Sequence, residues 1–380
     1  MTTVDAALNS QVKALADSFV ESGRQIGIQV CVYGHGEKIV ETVAGRMGPE
    51  DPRPMQPDTL INAFSVTKGV ASTAIHILVD RGQIDLDAPV ARYWPKFGQH
   101  GKDRVTVRQA MSHQVGLYAM RRPFKPEHAS DWDAGIRYME DGVPAWEPGT
   151  ATGYHAFTWA WIVGGIVQGA TGRHIKDVIR EEIAEPLGVA DEFYVGIPDG
   201  VEDRLATLDV TALGQNALVP PEHAMFDAMP PDMWPYFNTM EVRKACVPSG
   251  NGHFSARAVA RMYAALANGG EIDGVRLLSS AQIADAQKLV TAEPDRVIIA
   301  PIRKASGYFL GGVTDGIHGP MGPCETTFGH PGAGGAVAFA DPVNGLGIAV
   351  IHNKMANEGP GQGTSLEICD LVRRELGATC

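Results

Sequence analysis

Cysteine is scarce: the five in this 380-residue chain, Cys31, Cys246, Cys324, Cys369 and Cys380, are odd in number, scattered, and never in a C-x-x-C pair. That argues against a disulfide framework or a zinc knuckle, and the expectation is reduced thiols used as small apolar packing groups. Long apolar runs are also missing, with nothing near the ~20 residues that span a bilayer. The opening Met1-Thr2-Thr3-Val4-Asp5-Ala6-Ala7 lacks the charged and apolar regions of a secretory signal, so a cytoplasmic location is expected. Positive charge is in deficit: 32 Lys plus Arg face 44 Asp plus Glu, a net charge of −12. Such a field repels nucleic acid and anionic membranes, and no basic run longer than Arg121-Arg122 offsets it, so neither is expected as a partner.

The templates for bound cofactors are absent as well. There is no H-E-x-x-H, no G-x-x-x-x-G-K-[ST], and no G-x-G-x-x-G between a strand and a helix, so neither metal nor cofactor is expected. G-x-S-x-G, the nucleophile elbow of α/β-hydrolases, is missing too.

What is present is globular composition, 44% hydrophobic and 20% charged, ample for a large core or two abutting subdomains. Leu8, Val12, Leu15, Ala16 and Phe19 recur at helical spacing up to Gly23, and Ile26, Ile28, Val30 and Val32 then alternate as in a strand. A second strand, Lys38 to Ala44, follows across Gly34-His35-Gly36-Glu37, a connection suited to a hairpin. At the other end, 335–341 and 346–352 are apolar runs joined by Asp341-Pro342-Val343-Asn344-Gly345. A closing helix there carries Leu366, Cys369, Val372 and Leu376 on one face. The middle is helical in pattern: Val66 to Arg81, Trp159 to Gly169, Ala256 to Ala267. Strands and helices are therefore segregated, which predicts an α+β fold with an antiparallel sheet built from both chain ends and a mainly helical subdomain inserted between them. The stretch Val219 to Phe237, with five prolines among Met225, Phe226, Met229, Met233, Trp234, Tyr236 and Phe237, is too apolar to be left uncovered.

The residues that stand out chemically are Phe64-Ser65-Val66-Thr67-Lys68-Gly69. A serine at a helix start has the residue three positions on beside it, so Ser65 and Lys68 can touch. A serine hydroxyl attacks well only when a neighbouring base takes its proton, and a lysine is that base only if its environment keeps it partly neutral. A capping serine beside a surface lysine is the plain alternative. The segment resembles the serine β-lactamase and penicillin-binding-protein superfamily, especially the class C-like branch that includes family VIII carboxylesterases. The resemblance continues through Leu78-Val79-Asp80-Arg81-Gly82-Gln83-Ile84-Asp85-Leu86-Asp87-Ala88-Pro89-Val90, Met111-Ser112-His113-Gln114-Val115-Gly116-Leu117, Glu147-Pro148-Gly149 with Gly153-Tyr154-His155-Ala156, and Phe328-Gly329-His330-Pro331-Gly332.

The resemblance implies a β-lactamase-like fold in which 1–64 with 291–380 form the sheet subdomain and 65–290 the helical one, with the active site between them. It also implies a catalytic set: Ser65 as acylated nucleophile, Lys68 as its partner, and Tyr154 as second base or proton shuttle, acting near neutrality only if positive neighbours such as Lys68 favour its anion or if proton transfer is concerted. The amides of Ser65 and Ala333 would form the oxyanion hole, edged by His330, Gly332 and Gly334. His330 stands where the family's K-T-G lysine stands, and Ala156 replaces the asparagine of Y-x-N. Both changes weaken recognition of a β-lactam and leave the nucleophile and base in place. Tyr118, Phe124 and Trp234 are candidates for an acyl or alcohol pocket, with core packing as the alternative for each, while His113 and His155 read as structural. The expected activity is carboxylesterase action on a small to medium, largely apolar ester. An acyltransferase, lactonase or amide hydrolase shares the machinery; a β-lactamase, a D,D-peptidase and a non-catalytic ligand sensor are further rivals.

Overall fold

Helix α1 (Ala6–Glu21) starts where the Asp5 carboxylate accepts the amides of Ala7 and Leu8, and Leu8, Val12, Ala16 and Phe19 are its buried face. The computed structural model describes residues 5–213, 220, 222–298, 302–356 and 361–380. Strands β1 (Gly27–Gly34) and β2 (Glu37–Gly45) form the expected hairpin, turning on His35 (φ 50°) and Gly36 (φ 85°). Positive φ at both loop residues matches the twist of the flanking strands. Strand β3 (Ile61–Asn62) leads into α2 (Val66–Asp80), which is buried from Val66 to Leu78.

The helical region holds α3 (Val107–Met111), α4 (Glu127–Ser130), α5 (Trp132–Asp141), α6 (Trp159–Thr171) and α7 (Ile175–Ile179). Strand β4 (Phe193–Val195) follows, then α8 (Ala224–Ala228), α9 (Met240–Lys244) and β5 (Gly252–Phe254). In the apolar stretch 219–237, residues 219 and 221 lie outside the described residues; Phe226, Met233, Trp234 and Phe237 are buried. Helix α10 (Ala256–Ala267) precedes the short hairpin β6 (Glu271–Ile272) and β7 (Val275–Arg276), then α11 (Ser280–Ala286). The chain closes with β8 (Phe309–Leu310), the hairpin β9 (Val313–Thr314) and β10 (Ile317–His318), then β11 (Phe328–Pro331), β12 (Val337–Asp341), β13 (Leu346–His352) and α12 (Thr364–Glu375).

Six strands make the main sheet in the order β2-β1-β13-β12-β11-β8, antiparallel throughout, so the two chain ends meet at the β1–β13 pair with Val30 opposite Val350. All seven positions of β13 are buried, as in a strand covered on both faces. Helix α10 packs against β1, β12 and β13, so closely at Gly347 that a Cβ there would lie 2.3 Å from the Ala264 amide nitrogen. Packing therefore groups α10 with the sheet, whereas β3, β5 and β4 form a separate three-stranded sheet that joins residues 61–62 to the helical part.

The cysteine expectation needs one correction. Cys324 and Cys380 form a disulfide, with Cα atoms 5.2 Å apart and a sequence separation of 56. After α12 the chain turns at Gly377 (φ 62°); the Thr379 amide donates to Asn344 Oδ1 and its carbonyl accepts from Asn344 Nδ2, so the end of the chain is carried back over the sheet. Cys31, Cys246 and Cys369 remain free, and burial pushes the thiols of Cys246 and Cys369 up to about 12. Among the described residues no helix is long and apolar enough to cross a membrane.

Candidate active site

The site is built at the junction of β3 and α2. The Asn62 side chain accepts the Phe64 amide (2.8 Å) and donates to Asn251 Oδ1 (3.0 Å), holding Phe64 at φ 45°. An aromatic residue in the left-handed region costs of order 1–3 kcal/mol and persists only where its surroundings impose it. Here the Phe64 ring is locked against Phe237 (5.1 Å) and Trp234 (5.6 Å, edge-on). The twist delivers Ser65 to the first position before α2, where its side chain makes no capping bond. The hydroxyl is thus free for chemistry, unlike that of an ordinary capping serine.

One helical turn on, Lys68 is fully buried. Its Nζ donates to the carbonyls of Ala156 (2.7 Å) and Ser249 (2.8 Å) and lies 3.4 Å from Ser65 Oγ. Burial holds the amine well below its ordinary value. In its neutral form the amine has two N–H bonds, which the two carbonyls can take, and one lone pair, which can then face Ser65 Oγ.

Tyr154 is buried with its ring 4.7 Å from Lys68 Nζ, and its hydroxyl interacts with that of Ser65. Of the two ways expected for Tyr154 to act, a phenolate favoured by Lys68 is disfavoured, since burial raises the phenol, and concerted proton transfer is the other. Burial favours the protonated phenol. His330 is buried, stacked near Tyr154 (6.0 Å) and Phe309 (4.2 Å), and its Nδ1–H donates to the Pro331 carbonyl (2.7 Å). Burial holds this imidazole well below its ordinary value, which keeps it neutral, and among the described residues its Nε2 has no hydrogen-bond partner.

The turn after β11 abuts the nucleophile segment. A Cβ on Gly332 would lie 2.4 Å from the Ala63 carbonyl oxygen, and Gly334 (φ 82°) is pressed against Met355, so both positions demand glycine. Half-buried Ala333 sits between them, and among the described residues neither its amide nor that of Ser65 has a protein acceptor.

Of the pocket candidates, Trp234 meets the nucleophile segment directly through Phe64. Tyr118 instead stacks on Trp146 (5.7 Å), which is edge-on to His155, and buried Phe124 contacts Tyr236 and His128. Their own ring contacts are not with Ser65, Lys68 or Tyr154. His155 accepts the Leu117 amide at Nε2 and donates from Nδ1 to the Gly153 carbonyl, while His113 Nδ1 accepts the His155 amide. Both act as internal struts, and burial pushes His155 down to about 4. Sequence reading missed Asn62, Ser249 and Asp295; the Asp295 carboxylate accepts the Tyr154 amide (3.0 Å). Among the described residues no group of three or more His, Cys, Asp or Glu could hold a metal ion.

A family model described as Beta-lactamase matches residues 12–369. The chain is 34% identical over 362 residues to Esterase/beta-lactamase LipL of Mycobacterium tuberculosis, a match covering 90% of this chain and 80% of that protein. Among solved structures it is similar to a penicillin-binding-protein homologue from Caulobacter crescentus, with TM-score 0.89 and 34% identity over 98% of this chain and 99% of the other. A family VIII carboxylesterase superposes with TM-score 0.88 and 32% identity, covering 98% of each chain.

Proposed function

Because the chain belongs to the beta-lactamase family, we propose that it is a serine carboxylesterase that hydrolyses small to medium, largely apolar esters through an acyl-enzyme on Ser65. The observation that carries this reading is the setting of Lys68: buried, its amine held well below the ordinary lysine value, donating to two carbonyls and lying 3.4 Å from Ser65 Oγ. The names of two relatives, an esterase/beta-lactamase and a family VIII carboxylesterase, support ester as the substrate class. The neutral His330 supports it further, since no permanent cation at that position meets a substrate carboxylate.

In the first half-reaction Lys68 takes the Ser65 proton as Oγ bonds to the ester carbonyl carbon. The Ser65 and Ala333 amides hold the oxyanion. Collapse breaks the bond to the alkoxide, which takes its proton from Tyr154, and Tyr154 regains one from the Lys68 ammonium. In the second half-reaction Lys68 takes a proton from water as the hydroxide attacks the acyl carbon. Ser65 leaves, recovers a proton through the same pair, and one acid and one alcohol have formed from ester and water.

The test is parallel hydrolysis of p-nitrophenyl butyrate and a chromogenic cephalosporin by the protein and its Ser65→Ala variant. Ester turnover that vanishes in the variant, with little cephalosporin cleavage, is the expected result. Unchanged turnover in Ser65→Ala removes the nucleophile assignment, and a preference for the cephalosporin removes the substrate class.

A further inference from the structure

Asp295 and Lys304 form an ion pair that no part of the proposed chemistry uses. Their side chains are 0% and 1% exposed, and Lys304 Nζ lies 2.6 Å from Asp295 Oδ2. The other carboxylate oxygen, Oδ1, accepts three amides: Val297 (2.8 Å), Ile298 (2.9 Å) and, across the fold, Tyr154 (3.0 Å). Lys304 Nζ donates also to Thr152 Oγ1 (2.7 Å), and the Arg296 amide donates to the Thr152 carbonyl (3.0 Å). Two points of the 152–154 backbone are thereby fixed to the 295–304 segment.

A buried ion pair is a poor source of net stability, because desolvation of both charges offsets most of their attraction. What it supplies is geometry. Segment 152–156 carries the Tyr154 hydroxyl that interacts with Ser65 and the Ala156 carbonyl that accepts a hydrogen bond from Lys68, so its placement sets the base and the donor together. Lys304 also bridges to Phe309, whose ring packs on both Tyr154 and His330. Resting on the reading of Tyr154 as the proton donor, we infer that the Asp295 side chain, seated by Lys304, is a positioning device whose Oδ1 fixes the Tyr154 backbone, so that loss of that oxygen lowers turnover without weakening substrate binding.

Two charge-matched double variants separate anchor from charge. Asp295→Asn with Lys304→Met keeps a carbonyl oxygen for the three amides and leaves no buried cation. Asp295→Ala with Lys304→Met removes the oxygen as well. The first should retain kcat within about threefold of the parent protein; the second should lose about 10- to 100-fold in kcat with KM within about threefold, the scale of a small misplacement of reacting groups. Hydrogen exchange at the Tyr154 amide should quicken only in the second, a readout that holds whether or not Tyr154 is the donor. If the two variants share the same kcat and the same Tyr154 exchange, the positioning role is wrong. Faster exchange with unchanged kcat keeps the anchor but overturns the inferred effect on turnover. Should the alanine variant not fold, Asp295→Leu with Lys304→Met, branched like aspartate at position 295 and without an oxygen there, takes its place: the same fall in kcat at constant KM and the same faster Tyr154 exchange are expected, and values equal to those of the asparagine variant overturn the inference. Failure of the functional reading itself is seen separately, as ester turnover that survives in Ser65→Ala.

Discussion

Lys68 Nζ lies 3.4 Å from Ser65 Oγ, and the two groups to which it donates at shorter range are main-chain carbonyls, those of Ala156 and Ser249. Burial pushes the amine well below the value of an ordinary lysine, which favours its neutral form. A base of this kind exists only because the fold offers it two acceptors that do not protonate it.

The consequence for pH dependence has a definite sign. Lowering the affinity of Lys68 for its proton places the neutral, active form on the alkaline side of a depressed transition, so kcat/KM for an ester should fall as pH drops through that transition. It should already be level at pH values well below those at which a free lysine titrates. Lys68→Arg, with a guanidinium that stays charged, should lose at least about 10³-fold in kcat/KM at every pH. A kcat/KM that keeps climbing through pH 10 would mean that Lys68 behaves as an ordinary surface amine.

The parts of this arrangement legible in the sequence are those set by short-range spacing. Ser65 and Lys68 meet because three residues make about one helical turn, and the β1–β13 pairing follows from apolar runs at both chain ends. The carbonyls of Ala156 and Ser249 had no such signature, because every residue carries a carbonyl and only the fold decides which ones face Lys68. Asp295 and Lys304 match no motif, and only folding brings them to partners 141 residues away at Tyr154 in one case and 152 residues away at Thr152 in the other. Tyr154 shows the same limit in its chemistry: the resemblance left open whether its anion or a concerted transfer serves, and burial, which sequence does not show, disfavours the anion.

The disulfide makes a prediction that needs no assay of activity. Under denaturing conditions without reductant the protein should present three free thiols, from Cys31, Cys246 and Cys369, and all five after reduction. Closing a loop of 56 residues stabilises by about 4 kcal/mol in the chain-entropy account. Cys380→Ser should therefore lower the denaturation midpoint markedly, and a reducing agent should bring the parent protein to the same midpoint. Five reactive thiols before reduction would show that the pair is open in solution.

Gly332 tests the proposed oxyanion hole of the Ser65 and Ala333 amides without touching any polar side chain. Its φ of −104° is open to any residue, so alanine there brings no backbone strain of its own. The obstacle is space: the new Cβ would stand 2.4 Å from the Ala63 carbonyl oxygen, a backbone atom two residues before Ser65. One of the two segments must withdraw, and the Ala333 amide moves relative to Ser65. Losing one oxyanion donor costs about 10²–10³ in rate, so Gly332→Ala should reduce kcat on that scale while the protein keeps its fold by circular dichroism. Binding of an uncharged ester should change little, since the ground-state carbonyl makes weaker use of the amides than the tetrahedral intermediate does. A drop confined to KM, with kcat intact, would mean that the turn shapes the pocket wall and that the second oxyanion donor lies elsewhere.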